Sequence, residues 1–442
     1  LSRGLGDVYK RQEQNRLARS WLDALPQPPR IRARLEELLR YDDEGTPEPV
    51  PERARIFYTV KRKDREKREL WWRETPDSPG RLLLDPNQWG PDDELEGTWP
   101  SRDGRYLVYG RARGGNEDAR LSVLEVDSGR LLPDSVRGWR QEGVSWLPGN
   151  RGFYYAAHPR AGEVPPGEEH YWPTAWLHLL GQPAEADRKV FASDTEKDLW
   201  HGVGVSEDGR WAFYWRGRFN ANEVFYGPAG GADPPQPLVT GMDGEYRVAS
   251  IGDRFLISTD HDAPLGKVWT TDAAHPGREH WREFLPEHPT DRLGYLAPIA
   301  GSLYAVYQHD AHTRIEILDV EGRRLREPRL PVLGSAWVSG LFARPEAWVS
   351  FSSFTWPYTT FRYDFERDSL SVYRKYPVPV RTEDFLTEQV WYTSKDGTRI
   401  PMFVVRPKDR PLDGTAPLLL TGYGGFDVSM SPSFSPKALV WL

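Results

Sequence analysis

The sequence predicts a mainly β chain whose bulk is a seven-bladed β-propeller, and three observations predict it. Composition is the first: 13% aromatic residues, 19 Trp, 40 Gly and 39 Pro in 442 residues suit many short strands punctuated by turns better than long helices. The second is a pair of interleaved series. Alternating aromatic strands that follow a turn recur at residues 55–58, 104–109, 152–155, 209–214, 253–257, 302–306 and 347–351. Each is followed, across a polar hairpin, by a second apolar segment, at 70–72, 121–124, 176–179, 224–226, 268–270, 315–318 and 361–363. Seven matched pairs at a period of roughly 40–50 residues are the signature of blades that bury their faces against one another around a channel. The third observation is turn chemistry. Ser101-Arg102-Asp103-Gly104 and Ser206-Glu207-Asp208-Gly209 stand at equivalent points, where Asp-Gly supports a tight turn into the next strand. A pair of β-sandwiches, the competing architecture, does not account for two sevenfold series.

Taken in order, residues 1–12 lack an initiator Met and read as translated adapter sequence, so they are set aside from fold reasoning. Residues 13–52 read as a helical segment. Leu17, Trp21, Leu22 and Leu25 share one face, and Ile31, Leu35, Leu38 and Leu39 another, after a break at Pro26, Pro28 and Pro29. Pro47, Pro49 and Pro51 then predict an extended linker. The propeller is assigned to residues 53–380, its blades to Arg53 through Tyr376. From 381 to 442 a different domain begins, with residues 388–392 and 400–405 as a hairpin turned at Asp396-Gly397. Apolar Leu418-Leu419-Leu420 predicts a strand that runs into Gly422-Tyr423-Gly424-Gly425-Phe426. Such a turn is how an α/β-hydrolase sheet brings a hydroxyl donor to its active site, the glycines supplying positive φ and close approach. The alternative for the pentapeptide is a glycine-rich turn with two packing aromatics. The final apolar residues 438–442 read as an interrupted hydrolase strand, so both ends read as cut.

Composition excludes several functions. A formal charge of −7 with no long block of one sign argues against nucleic acid or a lipid surface as partner. No run approaches the roughly twenty apolar residues that span a bilayer. Zero Cys excludes disulfides, thiolate metal sites and a cysteine nucleophile, and fits a cytoplasmic protein, the periplasm staying open because the native start is not visible. The ten His include no H-E-x-x-H, and His309 and His312 fall in a polar hairpin, so no metal is expected. Gly227-Pro228-Ala229-Gly230-Gly231 lacks the Lys-Ser/Thr of a phosphate loop, and no cofactor is expected. No G-x-S-x-G occurs; Ser335 and Ser339 near Gly334 and Gly340 do not form a nucleophile elbow.

The stretches 393–405, 423–434, Gly167-Glu168-Glu169-His170-Tyr171 and Asp310-Ala311-His312-Thr313-Arg314 resemble the prolyl oligopeptidases, serine peptidases that cut short peptides after proline. The resemblance runs from about Glu13 to Leu442. It implies N-terminal helices packed on a hydrolase domain, an inserted propeller that admits only small peptides, and a Ser, Asp, His triad beyond Leu442. Tyr-Gly-Gly-Phe favours the prolyl branch over oligopeptidase B, although another oligopeptidase of the family remains an alternative. By motif position, Tyr423 is implied as the phenolic oxyanion donor and Phe426 as a wall of the proline pocket. In Trp215-Arg216-Gly217-Arg218-Phe219, Arg216 and Phe219 are implied as substrate-binding residues, against blade packing and a solvated loop charge. Proline-containing oligopeptides are the implied partners of a monomer. This chain alone, without nucleophile, acid or base, is expected to be inactive. A truncated propeller that serves as a binding module is the competing function.

Overall fold

The computed structural model describes residues 2–115, 118–139, 143–159, 162–425 and 428–442. Seven antiparallel sheets follow one another along the chain, each built from consecutive strands in simple order. The two predicted series are the second and third strands of every blade, for example Trp211–Arg218 and Ala221–Pro228 in blade 4, or Ser302–His309 and His312–Leu318 in blade 6. They read clearly because both their faces are covered: Phe57, Phe153, Phe255, Leu303 and Ile317 are fully buried.

First strands line the channel, and those of blades 3 and 4, of blades 5 and 6, and of blades 7 and 1 touch. Turns between first and second strands form one rim, called lower here; hairpins between second and third strands form the upper rim. The two Asp-Gly turns fold alike at the lower rim. In each, the Ser hydroxyl meets the Asp carboxylate (2.9 and 2.5 Å) and the Gly N–H donates to the Ser carbonyl (2.8 and 2.9 Å). Gly104 and Gly209 take φ of +68° and +76°, as the pattern requires.

Six apolar clusters fill the interfaces from blades 1 and 2 through blades 6 and 7. Among the described residues the seam between blades 7 and 1 has no such cluster and shares no strand. It is closed by side chains. The Thr46 hydroxyl lies 2.6 Å from that of Ser350 and 3.1 Å from that of Thr360; Tyr373 donates to the Pro76 carbonyl (2.8 Å); Arg374 approaches Glu44 (3.6 Å).

Three expectations are corrected. Blade 1 begins upstream of Arg53: Asp43–Glu44 and Glu48–Pro49 form its inner strand against Ile56–Lys61. Proline is tolerated there because an edge strand leaves one row of backbone donors unused. Helix α1, Ser2–Asp23, runs through the residues set aside, and Leu17, Trp21 and Leu22 are exposed. Helix α2, Pro28–Leu39, takes its prolines into the first turn, where no N–H is missed, and buries only Leu38. The third correction concerns the end of the chain. Residues 418–420 form no strand and are exposed, since a strand without a partner leaves its backbone unpaired. Pro436–Trp441 is a short helix, α3: Ser435 Oγ accepts the Ala438 N–H (3.2 Å), Pro436 opens the first turn, and Leu439 is buried with Leu38, Val378 and Phe434.

Candidate functional site

The predicted hairpin after the propeller is present as Phe385–Thr393 paired with Arg399–Pro407. It docks on the upper rim. The Gln389 side chain donates to the Asp310 carbonyl at the tip of blade 6, and Phe403 packs on Phe354 of blade 7 with ring centroids 5.5 Å apart. The returning chain is tied to the same rim: Gln308 accepts from the Ser429 hydroxyl and donates to that of Ser431, both at 3.2 Å, and the Ser435 N–H donates to the Phe354 carbonyl (3.3 Å).

Between these attachments runs the glycine loop. Tyr423 is 58% exposed and its hydroxyl makes no hydrogen bond among the described residues, so it is a free phenolic donor. Gly424 has φ +118°, a conformation that needs glycine, whereas Gly422 and Gly425 do not take positive φ. A Cβ on Gly422 or Gly424 would meet nothing within 4 Å, which leaves the backbone open to an approaching group. Phe426 lies outside the described residues.

Across the ring, a cavity of about 710 Å³ runs along the channel wall of blades 4 and 5. Phe219, in the hairpin of blade 4, stands at its upper end, 72% exposed and edge-on to Trp200 at 4.7 Å. Arg218 lines it too, held by Asp198 (2.8 Å) and Glu196 (2.6 Å), which together keep its guanidinium above its ordinary range. Arg216 does not line the cavity. Strand alternation turns it away with Ala212 and Tyr214 toward blade 3, where it pairs with Glu223 (2.8 Å) and covers the Phe191 and Phe225 rings. The opposite parity, Phe213 and Trp215, faces the cavity with Tyr246 of blade 5. Trp200, Trp215, Arg218 and Tyr246 were missed by sequence reasoning. The same alternation rule, applied to residues 211–218, would have chosen Trp215 over Arg216.

A family model described as the prolyl oligopeptidase N-terminal β-propeller domain matches residues 12–376. This chain belongs to the prolyl oligopeptidase family. A prolyl endopeptidase of Elizabethkingia meningoseptica is 26% identical over 440 residues, covering 98% of this chain and 61% of that protein. Prolyl oligopeptidase A of Galerina marginata is 30% identical over 404 residues, covering 83% and 53%. Among solved structures, one from a study of two prolyl endopeptidases and their inter-domain dynamics superposes with a TM-score of 0.91 at 33% identity, covering 98% of this chain and 64% of that one. The chain thus spans about three fifths of the length of these family members and contains their propeller.

Proposed function

We propose that this chain is the N-terminal and propeller portion of a serine endopeptidase that cleaves short proline-containing peptides after proline. Tyr423 donates to the oxyanion of the tetrahedral intermediate, and the propeller restricts access to small substrates. The observation that carries the reading is the anchoring of the Tyr423 loop to the upper rim, the same rim at which Phe219 and Arg218 open the channel cavity. A free phenol on an open glycine loop can meet a developing negative charge without first breaking another bond. The cavity wall, aromatic with a few charged groups, suits the distal residues of a bound peptide. Of the two arginines in the blade 4 hairpin segment, Arg218 is the one placed to meet such a peptide.

The test is Tyr423→Phe in this chain joined to the catalytic remainder its relatives possess, assayed on a glycyl-prolyl chromogenic amide. Loss of one charge-directed hydrogen bond is expected to lower kcat by roughly 10–10³ with KM little changed. Unchanged kinetics would remove the oxyanion role. The 442-residue chain alone is expected to release no chromophore, having no nucleophile and base pair.

A further inference from the structure

The two Asp-Gly turns carry different residues at their second position, Arg102 in blade 2 and Glu207 in blade 4, and both reach over the channel mouth. Arg102 is 7% exposed. Its Nε donates to Glu52 of blade 1 (2.7 Å), Nη1 to the Ser206 carbonyl (3.1 Å) and Nη2 to the Glu207 carbonyl. The Glu207 carboxylate accepts two consecutive backbone N–H groups, of Phe342 (2.7 Å) and Ala343 (3.0 Å), in the lower-rim turn of blade 7. Blades 4 and 7 stand as far apart as two members of a ring of seven can, so this bond crosses the channel.

The segment that Glu207 grips is itself fixed. Ala300 and Gly301 of blade 6 donate to the Leu341 and Phe342 carbonyls (2.9 Å each), and Arg344 reaches the Pro51 carbonyl of blade 1 (3.3 Å). Five blades therefore converge on one polar knot at the lower rim. Ser206 and Glu207 also line the channel cavity, whose other end lies at Trp200 and Phe219. Two residues of the knot, Ser206 and Glu207, thus stand at the lower end of that cavity.

We propose that Arg102 and Glu207 form a clasp that closes the channel at the lower rim, making the cavity a blind sac open only at the upper rim, whose depth limits the length of peptide accepted. The limit on peptide length rests on the peptidase reading above; the clasp does not. Charge-assisted hydrogen bonds with every carboxylate and guanidinium contact made to backbone or to an opposite charge suit a fixed stopper better than a mobile gate. A residue that only braced the ring would change stability and leave the length of accepted peptides unaltered.

Two measurements test this. In the 442-residue chain, the Phe342 and Ala343 amides are expected to exchange with solvent deuterium about tenfold faster, or more, in Glu207→Ala than in the unaltered protein, with Glu207→Gln between them. In the chain joined to its catalytic remainder, prolyl peptides of graded length are compared. The ratio of long to short peptide cleavage is expected to rise about tenfold in Glu207→Ala and in Arg102→Leu, as a peptide end threads through the opened floor. Unprotected amides in the unaltered chain would overturn the clasp. Faster exchange with an unchanged length ratio would overturn the blind sac. Failure of the unaltered joined enzyme to cut any prolyl peptide would sink the peptidase reading instead, while the exchange result still stands. Should Glu207→Ala not fold, Glu207→Gln, which keeps one accepting oxygen, carries both measurements.

Discussion

At His201 the structure holds an imidazole that is 1% exposed, edge-on to Phe191 at 5.5 Å, with neither ring nitrogen in a well-formed hydrogen bond. Burial pushes its pKa down to about 4, offset in part by the Leu199 backbone and reinforced by Arg216 and Lys189. Unfolded chains protonate this residue near 6.5, so between about 6.5 and about 4 the unfolded state binds the extra proton and stability falls with falling pH, by about 3 kcal/mol over the window. Urea midpoints from pH 7.5 to 4 should show that slope, and His201→Leu should flatten it; an equal slope in both proteins would refute the assignment. His178 acts in the opposite sense. Although burial opposes its charge, Asp187 (2.7 Å) and Asp134 (3.1 Å) raise its pKa, so its contribution is complete below 6.5 and is lost as pH rises through the folded value. Comparing the two His201 proteins at each pH removes that second dependence. Single residues were unevenly legible. Tyr423 was singled out by its motif position in the glycine turn, and it is exposed. Arg216 was singled out from a stretch with two arginines of equal strand parity; Arg218 lines the cavity because it stands at the end of the strand, where the chain turns into the hairpin.

At the level of elements, legibility followed burial on two sides. All fourteen predicted middle segments are strands, because a strand sandwiched between blades must be apolar and aromatic along its length. First and fourth strands escaped the pattern. Glu48–Pro49 is polar and proline-bearing at an edge, and Arg324–Arg326 is wholly exposed, so neither carries an apolar signature. Leu418-Leu419-Leu420 failed for the converse reason: its composition specifies a strand, but no described neighbour offers a ladder. Turn glycines are the most demanding positions. A Cβ on Gly209 would lie 2.9 Å from Pro148 Cγ at a φ of +76°. Gly209→Ala is therefore expected to destabilise the protein by about 1–3 kcal/mol, read as a lowered denaturation midpoint, while the same change at Gly143, with open space and ordinary φ, serves as the silent comparison. Equal midpoints for the two variants would show that the turn relaxes without cost.

Across the whole molecule, six interfaces hold apolar clusters and, among the described residues, the seventh is bridged by polar contacts, so the ring has one seam of a different character. Thr46→Val keeps the shape at that seam but leaves the buried Thr360 hydroxyl without its partner across it. The expected cost is about 1–2 kcal/mol of stability, and a chemical denaturation curve measures it. No loss would mean that Ser350 and Thr360 find other partners. The seam also bears on how the chain can be written. Since each sheet is finished by four neighbouring strands and none is lent to another blade, a blade can close as soon as its last strand leaves the ribosome, and only the final join waits for residues some three hundred positions apart. The order of blades along the gene is then a matter of history more than of physics: a gene that carried the first blade, residues 43–84, behind Lys375 would encode the same ring with its break moved one place round.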